Sequence, residues 1–190
     1  MASIIKANEL QDFGGNSIIT SDGSGTITLS SGMNTAINAG VTPAVNTPAF
    51  QAYMNSTQTV SSETATKINI DTEEWDTNSN FDTSNKRFLP TTAGKYFIYG
   101  GYRFDTGNAD QVKYAEVHIY KNGSIYRDGV QMGNYNEQTF RNMLLTVSTT
   151  VDMNGSSDYV ELYATRQTAS GTDVNGGSRY TYFGGYKIIE

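Results

Sequence analysis

A short strand with aromatic side chains on both faces limits what this chain can become. After the Ala93-Gly94 turn, residues 95–104 read KYFIYGGYRF. A strand sends alternate side chains to opposite faces. Even positions give Tyr96, Ile98, Gly100, Tyr102 and Phe104; odd positions give Lys95, Phe97, Tyr99, Gly101 and Arg103. A sheet with one wet side shows apolar residues on a single parity. Here the second parity also carries aromatics, so something beyond the strand's own core face must cover it.

Similar surpluses recur at 159–165 and 179–189, and more weakly at 114–120. Together they would expose a large aromatic patch, and patches beyond a few hundred Å² usually mark an interface. Tyr is also tolerated singly on sheet surfaces, but the interface accounts for the repeated pattern. Its ring buries area while its hydroxyl keeps a hydrogen bond. The expected interface residues are Phe97, Tyr99, Tyr163, Tyr182 and Tyr186, with one parity of 95–104 in a core and the other against further copies of the chain.

The rest of the chain reads as all-β. Gly, Ser, Thr, Asn and Tyr are abundant, with Tyr at 13 of 190 residues, and no segment shows a convincing helical period. Residues 114–120 place Ala115, Val117 and Ile119 on one face, and 159–165 place Val160, Leu162 and Ala164 there. Phe140 to Val151 is a long strand with Leu145, Val147 and Val151 on one parity. Thr64 to Ile70 alternates with Thr66, Ile68 and Ile70 inward. Asn122-Gly123 marks a tight hairpin, because both residues tolerate positive φ. Residues 1–47 differ. They hold one aromatic, Phe13, and a hairpin signal from Ile18 to Leu29 around Asp22-Gly23, then a stretch too poor in large side chains to build a core. The expected organisation is an extended N-terminal arm with short strands over 1–47 and a jelly-roll or sandwich domain over 48–190.

Charge and composition exclude several functions. The net charge of −6 speaks against a general nucleic-acid binder, which needs a basic face. No stretch approaches the roughly 18 apolar residues of a membrane helix. The absence of cysteine suits assembly in a reducing cytosol. The first residues show no export signal, so Asn55, Asn122 and Asn154, each followed by x-Ser/Thr, read as chance matches.

Catalytic constellations are also missing. The single His, His118, stands on the polar parity of its strand and reads as a surface or interface residue; it has no partner nucleophile in the sequence pattern. One His and no Cys leave a zinc site short of ligands. Asp76-Thr-Asn-Ser-Asn-Phe-Asp82 spaces oxygen ligands like half a calcium loop, but Phe81 and Arg87 stand where Gly and Glu are needed. A polar connection is preferred. Glu73, Glu74, Asp76 and Asp82 are the only clustered carboxylates. No catalytic residue, cofactor or metal is expected.

Residues 49–190 contain Ala49-Phe50-Gln51-Ala52-Tyr53, Phe81-Asp82, Arg87-Phe88-Leu89-Pro90, Ala93-Gly94-Lys95-Tyr96-Phe97-Ile98-Tyr99 and Phe183-Gly184-Gly185-Tyr186-Lys187-Ile188 in that order. This series resembles the globular-head family of complement component 1q, a tumour-necrosis-factor-like jelly roll. The resemblance implies ten strands and a compact homotrimer, with the first, last and central strands of the inner sheet at the threefold axis. The collagen stalk and signal peptide usual in animal members are missing. Ile4 to Asp12 and Ser17 to Gly25 are instead similar to the start of phage tail-fibre proteins. That implies a virion protein assembled in the host cytoplasm: a trimeric fibre or spike whose arm binds other virion proteins and whose head contacts a host-surface glycan or protein. A capsid decoration protein, or a structural joint of the tail, is the alternative. Receptor contact is expected in loops, at Asn108 and Asp110 and at Met132, Asn134 and Tyr135, where amide groups and an aromatic ring suit sugar hydroxyls and ring faces.

Overall fold

A computed structural model describes residues 8–24, 26–31, 45–106, 112–133, 141–168 and 172–189. The chain divides into two compact units, Met1–Ala44 and Val45–Glu190. Every element delimited among the described residues is a strand.

The first unit holds β1 (Glu9–Gln11), β2 (Ser17–Ser21) and β3 (Ile27–Leu29), paired antiparallel in that order. Both turns are built by aspartates. Asp12 Oδ1 accepts the Asn16 amide, and Asp22 Oδ1 accepts the amides of Ser24 and Thr26. Hydrogen bonds from Ser24, then Thr26, hold the Asp22 carboxyl down at about 2. None of the described residues here is buried, and Leu10, Phe13 and Ile27 are exposed. The short strands expected in the arm therefore exist, without a core of their own.

The second unit is a two-layer sandwich. Its first sheet holds β4 (Ala49–Tyr53), β5 (Gln58–Val60), β7 (Thr72–Asp76), β10 (Gly94–Asp105), β13 (Asn142–Met153), β15 (Thr172–Val174) and β16 (Tyr182–Lys187). The second holds β6 (Thr66–Lys67), β8 (Phe81–Asp82), β9 (Arg87–Phe88), β11 (Val112–Lys121), β12 (Ser124–Gly133) and β14 (Val160–Thr168). Crossovers between the sheets give the jelly-roll path. β10 lies between β13 on one edge and β16 on the other, and β16 continues to β4 and β7. The first, last and central strands of the domain are thus adjacent.

Inward parities fill the core as the alternation predicts. Ala115, Val117, Ile119, Val160, Leu162, Ala164, Leu145, Val147 and Val151 are all buried. Phe50 stacks on Phe88 at 4.3 Å and on Phe81 at 5.0 Å, with Phe183 edge-on at 5.2 Å. The Asn122-Gly123 turn has φ of 52° and 80°, as its hairpin requires. Thr64 to Ile70 differs from expectation. Only Thr66–Lys67 is a strand, yet Ile68 and Ile70 are fully buried. The pairing with β14 continues through the Ile68 amide, which donates to the Leu162 carbonyl, and beside it Gln58 accepts the Asn69 amide and donates to the Lys67 carbonyl.

Tyr96 sits in this core with its hydroxyl donating to the Thr92 carbonyl at 2.7 Å. Burial pushes its phenol up to about 12 from the ordinary 10.0. A raised folded-state value adds stability below pH 10 that is lost as pH climbs towards 12. Tyr96→Phe removes a net hydrogen bond of about 1 kcal/mol at neutral pH. It should also flatten the fall of unfolding free energy between pH 10 and 12 by about one proton, read by denaturant titration at stepped pH. An unchanged slope contradicts the assignment.

Candidate assembly face

β10 turns Phe97, Tyr99 and Arg103 away from the core, and each is half-buried. β16 adds Tyr182 and Tyr186, and β4 adds Gln51 and Tyr53, all from the matching parity. Phe97 lies 5.6 Å from Tyr186 and 6.0 Å from Tyr99, and Tyr99 lies 6.5 Å from Tyr182. Tyr186 is 36% exposed, and Trp75 on β7 is 47% exposed beside Gln51. Leu144 on β13, opposite Arg103, is exposed as well. The guanidinium of Arg103 lies over Tyr180 at 4.7 Å and pairs with Asp105 at 2.9 Å. The face is thus an aromatic field with polar groups at one end.

Glycine makes the field flat. A Cβ at Gly184 would come within 2.4 Å of the Gln51 amide oxygen and 2.6 Å of the Tyr99 ring. Without that Cβ, Tyr99 lies across β16 and its hydroxyl donates to Gln51 Oε1 at 2.6 Å. Burial, then the neighbouring Tyr186, Tyr182 and Glu74, raise the Tyr99 phenol above the ordinary tyrosine value. It stays a neutral donor at neutral pH. The glycine pair in Phe183-Gly184-Gly185-Tyr186 is therefore a packing device within β16.

Four of the five residues expected at the interface, Phe97, Tyr99, Tyr182 and Tyr186, share this face. Tyr163 does not. Its strand, β14, belongs to the second sheet, where Tyr163 stacks on Tyr120 at 3.8 Å on the opposite side of the sandwich. Parity says which side of a strand a residue takes, not which sheet the strand joins. Glu161, on that same outward parity, is buried and paired with Lys67 at 2.7 Å.

The expected receptor loops are placed only in part. Met132 lies within β12, half-buried against the core, so it is a strand residue and not a loop residue. Asn108, Asp110, Asn134 and Tyr135 lie outside the described residues. In the Asp76–Asp82 segment the oxygens serve the turn. Asp76 accepts the amides of Asn78 and Phe81, and Asp82 those of Ser84 and Asn85. That is the polar connection preferred from sequence.

His118 overturns its expected surface position. It is 3% exposed, despite its outward parity, because Asp128 and Thr165 close over its two ring nitrogens. Together with Glu116 it forms a three-residue cluster that sequence spacing does not suggest, since Asp128 arrives from the neighbouring strand.

No family model matches the chain, and no curated protein matches it. Solved structures do. The globular domain of zebrafish complement 1qA is 12% identical, with 75% of this chain and 98% of that one covered at a TM-score of 0.51. Murine APRIL is 8% identical, over 74% and 98%, at 0.55. Eiger TNF from S. frugiperda is 11% identical, over 75% and 94%, at 0.53. The chain has the complement-head and tumour-necrosis-factor-like jelly-roll fold.

Gly184→Ala should displace the Tyr99 hydroxyl from Gln51 and cost about 1–3 kcal/mol, in the range of small overpacking changes. Thermal unfolding measures the loss. Gly23→Ala serves as the contrast. It removes a positive-φ glycine with nothing within 4 Å of the added Cβ, so it strains the backbone without moving Tyr99. Only the first variant should alter Tyr absorption in the folded state.

Proposed function

We propose that this chain forms a homotrimeric bacteriophage appendage of tail-fibre or spike type, with a head that contacts the host surface. The observation that carries the self-association is the aromatic face formed by β10 and β16, which a single chain leaves half-covered. The fold resemblance implies a homotrimer with those strands at the threefold axis. Rotational symmetry asks for complementary patches. Around the axis the aromatic face meets its own copies. Farther out, a protomer must offer a different surface to its neighbour. The exposed Ile125, Tyr126 and Val130 of β12 suit that role. Obligate interfaces of this type bury roughly 2,000 Å² or more.

The virion setting rests on the likeness of the first 25 residues to the start of phage tail-fibre proteins. The unburied apolar residues of β1–β3 support a role for residues 1–47 as the segment that joins other virion proteins. The work is binding and assembly. It involves neither nucleic acid nor a membrane.

Light scattering on the purified chain should return three chain masses. Tyr99→Asp or Tyr186→Asp would bury a carboxylate in the aromatic field and should give monomer or aggregate. Tyr163→Ala, on the other sheet, should remain trimeric. A monomeric wild type overturns the assembly.

Host contact is tested on particles. Asn134→Ala combined with Tyr135→Ala should reduce adsorption while the trimer still forms. If adsorption is unchanged while the trimer still forms, these loops are not the receptor site, and the capsid-decoration reading gains.

A further inference from the structure

We propose that Glu116, His118 and Asp128 form a site for one divalent transition-metal ion of zinc-like character. The site is assembled by an irregularity in the β11–β12 ladder. Tyr114, Ala115 and Glu116 pair with Gly133, Met132 and Gln131. Continued without a break, that register would set Gly129 against His118. The ladder shifts between Glu116 and His118, and Asp128 stands opposite the imidazole instead. Bulges re-aim side chains in this way, and they recur beside functional sites.

The geometry suits imidazole and carboxylate ligation. His118 Nδ1 is 2.8 Å from Asp128 Oδ1, and Nε2 is 3.8 Å from Glu116 Oε2 and 2.9 Å from Thr165 Oγ1. One donor atom from each of the three residues lies within 4.8 Å of the other two. Zinc bonds of roughly 2.0–2.2 Å to nitrogen and oxygen place tetrahedral ligands about 3.3 Å apart. Closing that difference takes a rotation of Asp128 and release of Glu116 Oε2 from the Tyr114 hydroxyl that donates to it. Asp128 has room for them, because its side chain is 59% exposed, and that side also admits the ion. The ring nitrogen that does not bind metal keeps a hydrogen-bonding partner, which orients the imidazole as such sites require. An ion here would pin the edge strand β12, which carries Ile125, Tyr126 and Val130, to the interior of its sheet.

The chain's composition makes the test clean. His118 is the only histidine, and there is no cysteine. Any imidazole-bound zinc in the tag-free, full-length protein must therefore sit here. Zinc alone is titrated into chelator-stripped, nitrogen-15-labelled protein. One ring-nitrogen signal of His118 should move to its metal-bound position, saturating at one zinc per chain. Asp128→Asn, at an exposed position, should weaken zinc at least about tenfold, on the scale of losses at metal sites. Glu116→Gln should act likewise, while Glu74→Gln on β7 should leave binding unchanged. Ring signals unmoved by millimolar zinc would overturn the proposal. So would equal zinc affinity in Asp128→Asn and the wild type.

Discussion

Strand β10 has to satisfy two faces at once, and most of the domain is arranged around that demand. Its even residues build the sandwich core with Phe183, Leu145 and Leu162. Its odd residues build a second apolar surface with Tyr182 and Tyr186. A strand in this position must be central, because an edge would leave backbone groups exposed beside an apolar field. β13 and β16 supply the two ladders that prevent it. The paired glycines follow from the same demand. Gly185 admits Ile98 on the core side, and Gly184 admits Tyr99 on the other. Packing on both faces of one sheet thus costs side chains on the neighbouring strand.

The second sheet solves its outward face differently. There the surplus polar and aromatic residues satisfy one another within the chain. Tyr120 stacks on Tyr163, Lys67 pairs with Glu161, and Arg87 lies over Tyr159 at 4.8 Å. Buried charges persist when paired in this way. The two outward faces therefore have different characters. Along β14 one is closed by ion pairs and stacks, and on β10 and β16 the other presents a continuous field of half-buried rings. That asymmetry is what the proposed assembly rests on.

Much of this was legible in the sequence where the physics is local. Alternation identified the inward residues of β11, β13 and β14, because side-chain direction in a strand depends only on its neighbours. Asn122-Gly123 announced its turn because positive φ is a property of those residues. The loop placement of Met132 failed for a nonlocal reason. GVQM contains a turn-like glycine, but β11 extends the ladder through it. The buried Ile68 and Ile70 are a similar case, since the Ile68 amide still reaches the Leu162 carbonyl while the Gln58 side chain meets the backbone at Lys67 and Asn69.

By itself the sequence determined an all-β chain, its strand parities, and a central strand that needs two apolar environments. These follow from period-two geometry and turn chemistry. Only the tertiary structure decided which strands share a sheet. It set Phe97, Tyr99, Tyr182 and Tyr186 together and sent Tyr163 to the far side. It also decided that His118, polar by parity, is closed over by Asp128 and Thr165. Both outcomes depend on crossovers and on a register shift between strands, and neither leaves a mark in the spacing of residues along one strand.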